Sequence, residues 1–208
     1  MRRTLAALLT AALGLLLTSD SALAQSSTTR GFTLGIHASG ASISIQDRDR
    51  DNAGGGGIRV GFGINRRFTV FTQLDGAEFD DAQFDAAGTG NVEGTWTMGH
   101  VDLGVRFHFA NSLRRWVPYL QGALGYRAVS VKDPLVAGVA RNDVSLSGAG
   151  LTLGGGIDFY FSETLALDIQ LLWTGGEFTT LEIDNVAVSG FDIDANSSRF
   201  NVGLAWWP

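Results

Sequence analysis

A two-residue period, repeated along most of the chain, constrains this sequence more than any other feature. Phe32, Leu34, Ile36 and Ala38 alternate with Thr33, Gly35, His37 and Ser39, and Ile58, Val60, Phe62 and Ile64 alternate with Arg59, Gly61 and Gly63. The same rhythm returns over 101–109, 151–161, 165–174 and 199–206. Period two is the signature of a β-strand whose faces meet different surroundings. Two less regular segments, near 67–77 (interrupted by Phe71) and 115–129 (with Pro118 near its start), bring the total to eight. Helical periodicity is missing. No run of 18 apolar residues follows the first two dozen, so no helix of that part spans a bilayer.

The connections sort into two kinds. Asn65-Arg66-Arg67, residues 110–115 and Ser162-Glu163-Thr164 are short, whereas 46–55, 78–94, 130–145 and 175–197 read as long loops. Short turns at one end and long loops at the other are the pattern of an outer-membrane barrel. A soluble β-sandwich also alternates apolar and polar residues, but three features favour the membrane. The segments are long enough to cross a bilayer at a tilt. Their polar faces carry Arg, Asp, His and Gly, as a narrow lumen requires. Aromatic residues gather at the short-turn ends, namely Phe62, Phe68, Phe107, Phe109, Trp116, Phe159, Phe161 and Trp206, as an interfacial girdle does. In lipid an open sheet edge leaves backbone groups unpaired, so the eighth segment must close on the first. The expected fold is all-β, an eight-stranded antiparallel up-and-down transmembrane β-barrel.

Residues 1–24 read as a secretory signal peptide: Arg2 and Arg3, an apolar run from Leu5 to Leu17, then the A-x-A site Ala22-Leu23-Ala24. Residues 25–208 then form the barrel domain of an exported protein, expected in the outer membrane. With no Cys in 208 residues, a lipoprotein anchor, disulfides and thiol catalysis are excluded. A net charge of −6 argues against a nucleic-acid partner.

Trp116-Val-Pro-Tyr-Leu-Gln-Gly-Ala-Leu-Gly-Tyr126 and the final segment Asn201-Val-Gly-Leu-Ala-Trp206 carry a further likeness. With the layout above, they resemble the small eight-stranded outer-membrane barrels, the OmpA/OmpX-like barrel-domain superfamily. The resemblance implies that Asn201, Gly203 and Trp206 form the C-terminal signal read by the barrel-assembly machinery. Periplasmic chaperones would assist, and the finished monomer would sit among outer-membrane lipid and lipopolysaccharide. That signal usually closes on a terminal aromatic, whereas here Trp206 and Trp207 are followed by Pro208.

Strand parity turns Asp75, Asp102, Asp158 and Asp168 inward together with Arg59, Arg106, Arg127 and Arg199. An eight-stranded barrel is just wide enough for its own side chains to fill it, and ions buried there must be paired. The expectation is a salt-bridged plug, with a narrow channel or transporter for small solutes or ions as the alternative. His100 and His108 lie on one strand, roughly 27 Å apart at about 3.4 Å per residue, too far to share a metal. Outer-membrane lipid A deacylases have this size and fold, but they carry Ser, His and an acid facing lipid. His37-Ala38-Ser39 offers the spacing only at inward parity, so a lipid A-modifying enzyme is the least favoured reading. No catalytic residue and no cofactor is expected.

Most acids fall in the long connections, where they form an acidic crown. Asp47, Asp49 and Asp51 have the D-x-D-x-D spacing that opens a calcium loop, which makes them a weak metal candidate. Ile58 stands where the bidentate Glu belongs, and Arg48 and Arg50 offset the charge. The expected function is non-enzymatic: membrane integrity, or surface interaction and adhesion through the loops.

Overall fold

A computed structural model describes residues 29–45, 51–79, 84–85, 91–109, 115–136, 139–140, 144–183 and 186–208. The signal-peptide expectation over 1–24 lies outside them, as do Asp47 and Asp49. Eight long strands account for nearly all of the described chain: β1 Gly31–Ile45, β2 Asp51–Gly63, β3 Phe68–Phe79, β4 Asn91–His108, β5 Trp116–Val136, β6 Val144–Tyr160, β7 Leu165–Ile183 and β8 Val186–Trp206. Each pairs antiparallel with the next. β1 also pairs with β8, from Leu34 opposite Trp206 to Ile45 opposite Ala195, and this closes the sheet. Two-residue pairings, Phe84–Asp85 on β4 and Val139–Ala140 on β5, add to its outer rim.

The stagger follows from the register. Starting at Ser42 on β1, successive partners are Ser198, Trp173, Leu153, Gly122, Val105, Val70 and Phe62, and the circuit returns to β1 at Phe32. One turn around the barrel therefore descends ten residues of β1. With about 3.3 Å per residue and about 4.8 Å between strands, that stagger tilts the strands by about 40°. The backbone radius is then roughly 8 Å, enough for side chains to fill and no more.

Two of the short turns are built by their first polar residue. Asn65 Oδ1 accepts from the backbone N–H groups of Arg67 (2.8 Å) and Phe68 (3.0 Å), and Ser162 Oγ accepts from that of Leu165 (3.1 Å). These side chains replace sheet bonds where the chain reverses. Around these turns the outward girdle is in place: Phe62, Phe68, Phe109, Trp116, Phe159, Phe161 and Trp206 are all exposed. From Trp116 to Tyr126 the outward face of β5 covers roughly 25 Å along the barrel axis, the height of a lipid-facing band.

At the other end the structure departs from the sequence expectation. The segments 130–145 and 175–197 are not loops through most of their length. β5 continues to Val136, β6 begins at Val144, and β7 and β8 run to Ile183 and from Val186. The reason is an inversion of the two faces. Within the membrane the outward residues are apolar (Leu120, Leu124, Tyr126) and the inward ones polar. Above Tyr126, Ser130 points outward while Val129 and Val131 are buried inside. On β7, Leu171 and Trp173 face out, and higher up Glu177 faces out while Phe178 is buried. The strands continue above the lipid with their amphipathicity reversed, because water is now outside and a protein core within.

Candidate functional site

Among the described residues, chemistry-bearing side chains converge in the interior, which is layered along the barrel axis. All eight expected charges are buried there: Arg59, Arg106, Arg127, Arg199, Asp75, Asp102, Asp158 and Asp168 are each 8% exposed or less.

In the middle layer, Arg199 bridges two carboxylates. Its guanidinium donates to Asp75 and, at 2.7 Å, to Asp102 Oδ2, and also reaches Thr174 Oγ1 at 3.0 Å. Thr152 donates to Asp102 Oδ1 at 2.9 Å, and His37 Nε2 lies 2.5 Å from Asp75 Oδ1. Room for this cluster comes from missing side chains. A Cβ at Gly57 would stand 2.6 Å from Asp75 Oδ1 and 2.7 Å from His37 Nε2, and one at Gly125 would collide with the Asp102 carboxylate.

The next layer toward the turns centres on Asp168. Arg59 Nη1 is 2.6 Å from Asp168 Oδ2, Tyr119 donates its hydroxyl proton to Oδ1 at 2.5 Å, and Gln170 donates to Oδ2 at 2.7 Å. Arg106 lies 3.6 Å above the Tyr119 ring and donates to Gln121 Oε1 at 2.8 Å and 3.1 Å. Its Nη1 stands 3.4 Å from Asp168 and 3.7 Å from Asp158. Phe71, which breaks the sequence pattern on β3, is buried inside with Arg106 5.9 Å from its ring centre.

Arg127 behaves differently from the other three. It donates to backbone carbonyls, Gly176 at 2.7 Å and Ala195 at 2.5 Å, beside the irregularity where β6 and β7 shift register between Ser147 and Gly150. The Phe178 ring lies 4.9 Å from its guanidinium. Its partners are thus a bulged wall and an aromatic face, which strand parity alone does not reveal.

Two apolar layers close the network. On the outer side Ala41, Ile43, Phe79, Trp96, Met98, Val129, Val131, Phe178 and Ala195 form a buried cluster. On the turn side Val117, Tyr160, Ala166, Ala205 and Trp207 form a smaller one, with the Tyr160 and Trp207 rings 5.4 Å apart. Sequence parity missed both as closures. Trp207 was the available signal: it follows Trp206 at opposite parity, so one ring faces lipid while the other enters the lumen. Trp206 is 45% exposed and Trp207 1%. Of the other residues of the expected assembly signal, Asn201 is buried and accepts from Ser39 at 2.7 Å. A Cβ at Gly203 would clash with the Ile36 carbonyl.

His37 and Ser39 both face the lumen, and their partners are Asp75 and Asn201 rather than each other. No group of three His, Asp or Glu side chains is placed to hold a metal among the described residues. Of the three acids of the calcium-loop spacing, only Asp51 is described; it opens β2 opposite Ile43.

A closed eight-stranded barrel with an aromatic turn-end girdle and an apolar outer wall is matched by a known family. The outer membrane protein beta-barrel domain aligns with residues 9–206. The chain belongs to that family. Its membership places the protein in the outer membrane. A search of curated protein sequences finds no match. Among solved structures, Neisserial surface protein A is 15% identical with a TM-score of 0.58, covering 85% of this chain and 96% of its own. The outer membrane protein OprG from Pseudomonas aeruginosa is 11% identical with a TM-score of 0.55, covering 86% and 97%. Ail, the attachment invasion locus protein of Yersinia pestis, is 14% identical with a TM-score of 0.53, covering 86% and 100%. At these identities the likeness is one of fold.

Proposed function

We propose that this outer-membrane barrel is a non-enzymatic, non-conducting surface protein whose wall lifts an acidic crown above the lipid for surface interaction. The observation that carries the reading is the inversion of the strands. Above the lipid the interior is a packed apolar core, while Glu78, Glu177, Glu182, Asp192 and Asp194 stand exposed on the outer part of the strands. A chain selected to pass solutes has no use for a core across its path. A chain selected to present a surface needs that core to hold the wall up. The names of two fold relatives, a surface protein and an attachment and invasion protein, point the same way. The narrow-channel alternative requires four filled layers to move aside together. In the same reading, residues 1–24 are a leader removed on export, and Trp206, facing lipid beside Asn201 and Gly203, serves the assembly machinery.

The test uses outer-membrane vesicles that carry the full chain. Vesicles with the wild-type protein are expected to be retained on a polylysine surface several-fold better than vesicles with the combined E177Q, E182Q, D192N and D194N substitutions. The difference should shrink as salt rises, because exposed charges are screened. Equal retention at low salt would overturn the acidic-crown reading.

A further inference from the structure

The turn end of the wall carries a charge pattern that neither the lumen nor the outer crown uses. Arg30, Arg66, Arg67 and Arg115 stand exposed there, and among the described residues Glu163 is the exposed acid of that end. The arginines fall on one sector, β1 to β5, whereas Glu163 sits on the β6–β7 turn outside it. Hydrogen bonds tie the sector together. Thr29 Oγ1 donates to the Arg66 carbonyl at 2.6 Å, which holds the entry to β1, and Arg30 with it, against the β2–β3 turn. The His108 N–H donates to the Arg67 carbonyl at 2.8 Å and joins that turn to the end of β4. The Tyr160 N–H donates to the Arg115 carbonyl at 2.7 Å on the far edge. Among the described residues, no carboxylate forms an ion pair with Arg30, Arg67 or Arg115.

Each of these charges is set beside an aromatic ring that already faces lipid. Arg67 directly precedes Phe68, Arg115 directly precedes Trp116, and Arg30 stands two residues before Phe32. All three rings are exposed. Between Arg67 and Arg115 the rings of Phe68, Phe107 and Phe109 form a row, with successive centroids 5.1 Å and 5.2 Å apart. Exposed rings settle at the boundary between hydrocarbon and headgroups. Guanidiniums one or two residues beyond them lie at the depth of the lipid phosphates, within reach of a long side chain whose head seeks the polar side. A guanidinium offers paired donors to phosphate oxygens. At the opposite end of the wall the exposed charges among the described residues are acids: Glu78, Glu177, Glu182, Asp192 and Asp194. Short turns face the periplasm in barrels of this kind. We propose that the turn-end rim of β1–β5 binds the phosphate groups of anionic phospholipids in the periplasmic leaflet. The guanidiniums meet the headgroups, and the acyl chains lie against the Phe68–Phe107–Phe109 row. Attraction is confined to that leaflet, because the acids at the other end repel the same headgroups. A cell-wall polymer also offers anions, but it leaves the row of exposed rings without a role. The lipid contact stands whether or not the outer crown meets a partner surface.

Electron paramagnetic resonance of the full chain refolded in phosphatidylcholine liposomes tests this, with spin-labelled phosphatidylglycerol and phosphatidylcholine as probes. At low salt the motionally restricted lipid is expected to favour phosphatidylglycerol several-fold. The preference should approach parity at high salt, where exposed charges are screened. The combined R30Q, R67Q and R115Q variant should lose the preference while keeping the mobility difference between unheated and boiled samples that marks a closed barrel. Equal restriction of the two probes by the wild-type protein at low salt would overturn the proposal, and so would a preference that survives in the folded variant. Amide resonances in zwitterionic bicelles locate the contact as phosphatidylglycerol is added. Shifts are expected at Arg67, Phe68 and Trp116, with Gly175 to Phe178 unmoved. Shifts of equal size at both ends would contradict a single attractive leaflet. Retention of the protein on purified peptidoglycan without any lipid preference would also overturn the proposal and give the rim to the cell wall.

Discussion

The interior of this barrel is two different solids separated by one arginine. Toward the turns, between Arg199 and Asp158, the filling is ionic: carboxylates and guanidiniums at 2.6–3.7 Å with amide and hydroxyl side chains between them. Beyond Arg127 it is apolar, with Phe79, Trp96, Met98 and Phe178 at its centre. The wall is one continuous sheet, so the difference lies in what surrounds each part. Within the lipid band the apolar residues must face outward, and inward parity is left to polar groups, which must then satisfy one another. Above the lipid the outside is wet, and the hydrophobic effect draws the apolar residues in. A single alternating pattern serves both regions once its sense is reversed.

Substitutions that treat the two regions differently would sharpen or break this contrast. The largest effect is expected from Arg199→Ala, which strands Asp75 and Asp102 as buried carboxylates. Breaking such a network by removing one partner costs about 3–5 kcal/mol. Denaturant unfolding of the protein in lipid should show that loss, and most of it should return when Asp75→Asn and Asp102→Asn are added. Phe178→Ala, in the apolar region, should fall toward the low end of about 3–5 kcal/mol, because the core lies near an end that can relax. It should also loosen Arg127, read as faster exchange of the guanidinium protons that it donates to the Gly176 and Ala195 carbonyls. A comparable loss from removing Arg127 and from removing Arg199 would blur the boundary drawn here. Gly57→Ala drives a methyl into the Leu74 carbonyl as well as against His37 and Asp75, and is expected to cost about 3 kcal/mol by overpacking. The smallest effect is on the outer wall. Glu177 and Asp194 stand directly opposite each other across β7 and β8. Glu177→Gln should stabilise by a few tenths, at most about 1 kcal/mol, and the gain should vanish in high salt. The lumenal variants, shielded from solvent, should keep their effects.

Much of the ionic region was legible in the sequence, because parity alone decides which residues face inward. Arg59, Asp102, Asp158 and Asp168 sit inside for that reason. Their pairing was not legible. Which Arg meets which Asp depends on the ten-residue stagger, a property of the closed circuit that no single strand carries. The apolar region was hidden for a different reason. Val129, Val131, Phe178 and Ile193 keep the two-residue period, but a reading that takes apolar as outward ends each strand where the sense reverses. Trp207 was hidden by its neighbour: beside Trp206 it reads as part of one aromatic terminus, and only the strand's alternation separates the ring that meets lipid from the ring that closes the lumen.

The central claim is that both regions together close the lumen, and planar-bilayer conductance of the refolded wild-type protein tests it most directly. The filled interior predicts a silent membrane, and silence again when only the turn-side cluster is opened by Trp207→Ala, because the Phe79–Trp96–Phe178 core still blocks the path. Steady, reproducible single-channel steps from the wild-type protein would contradict it.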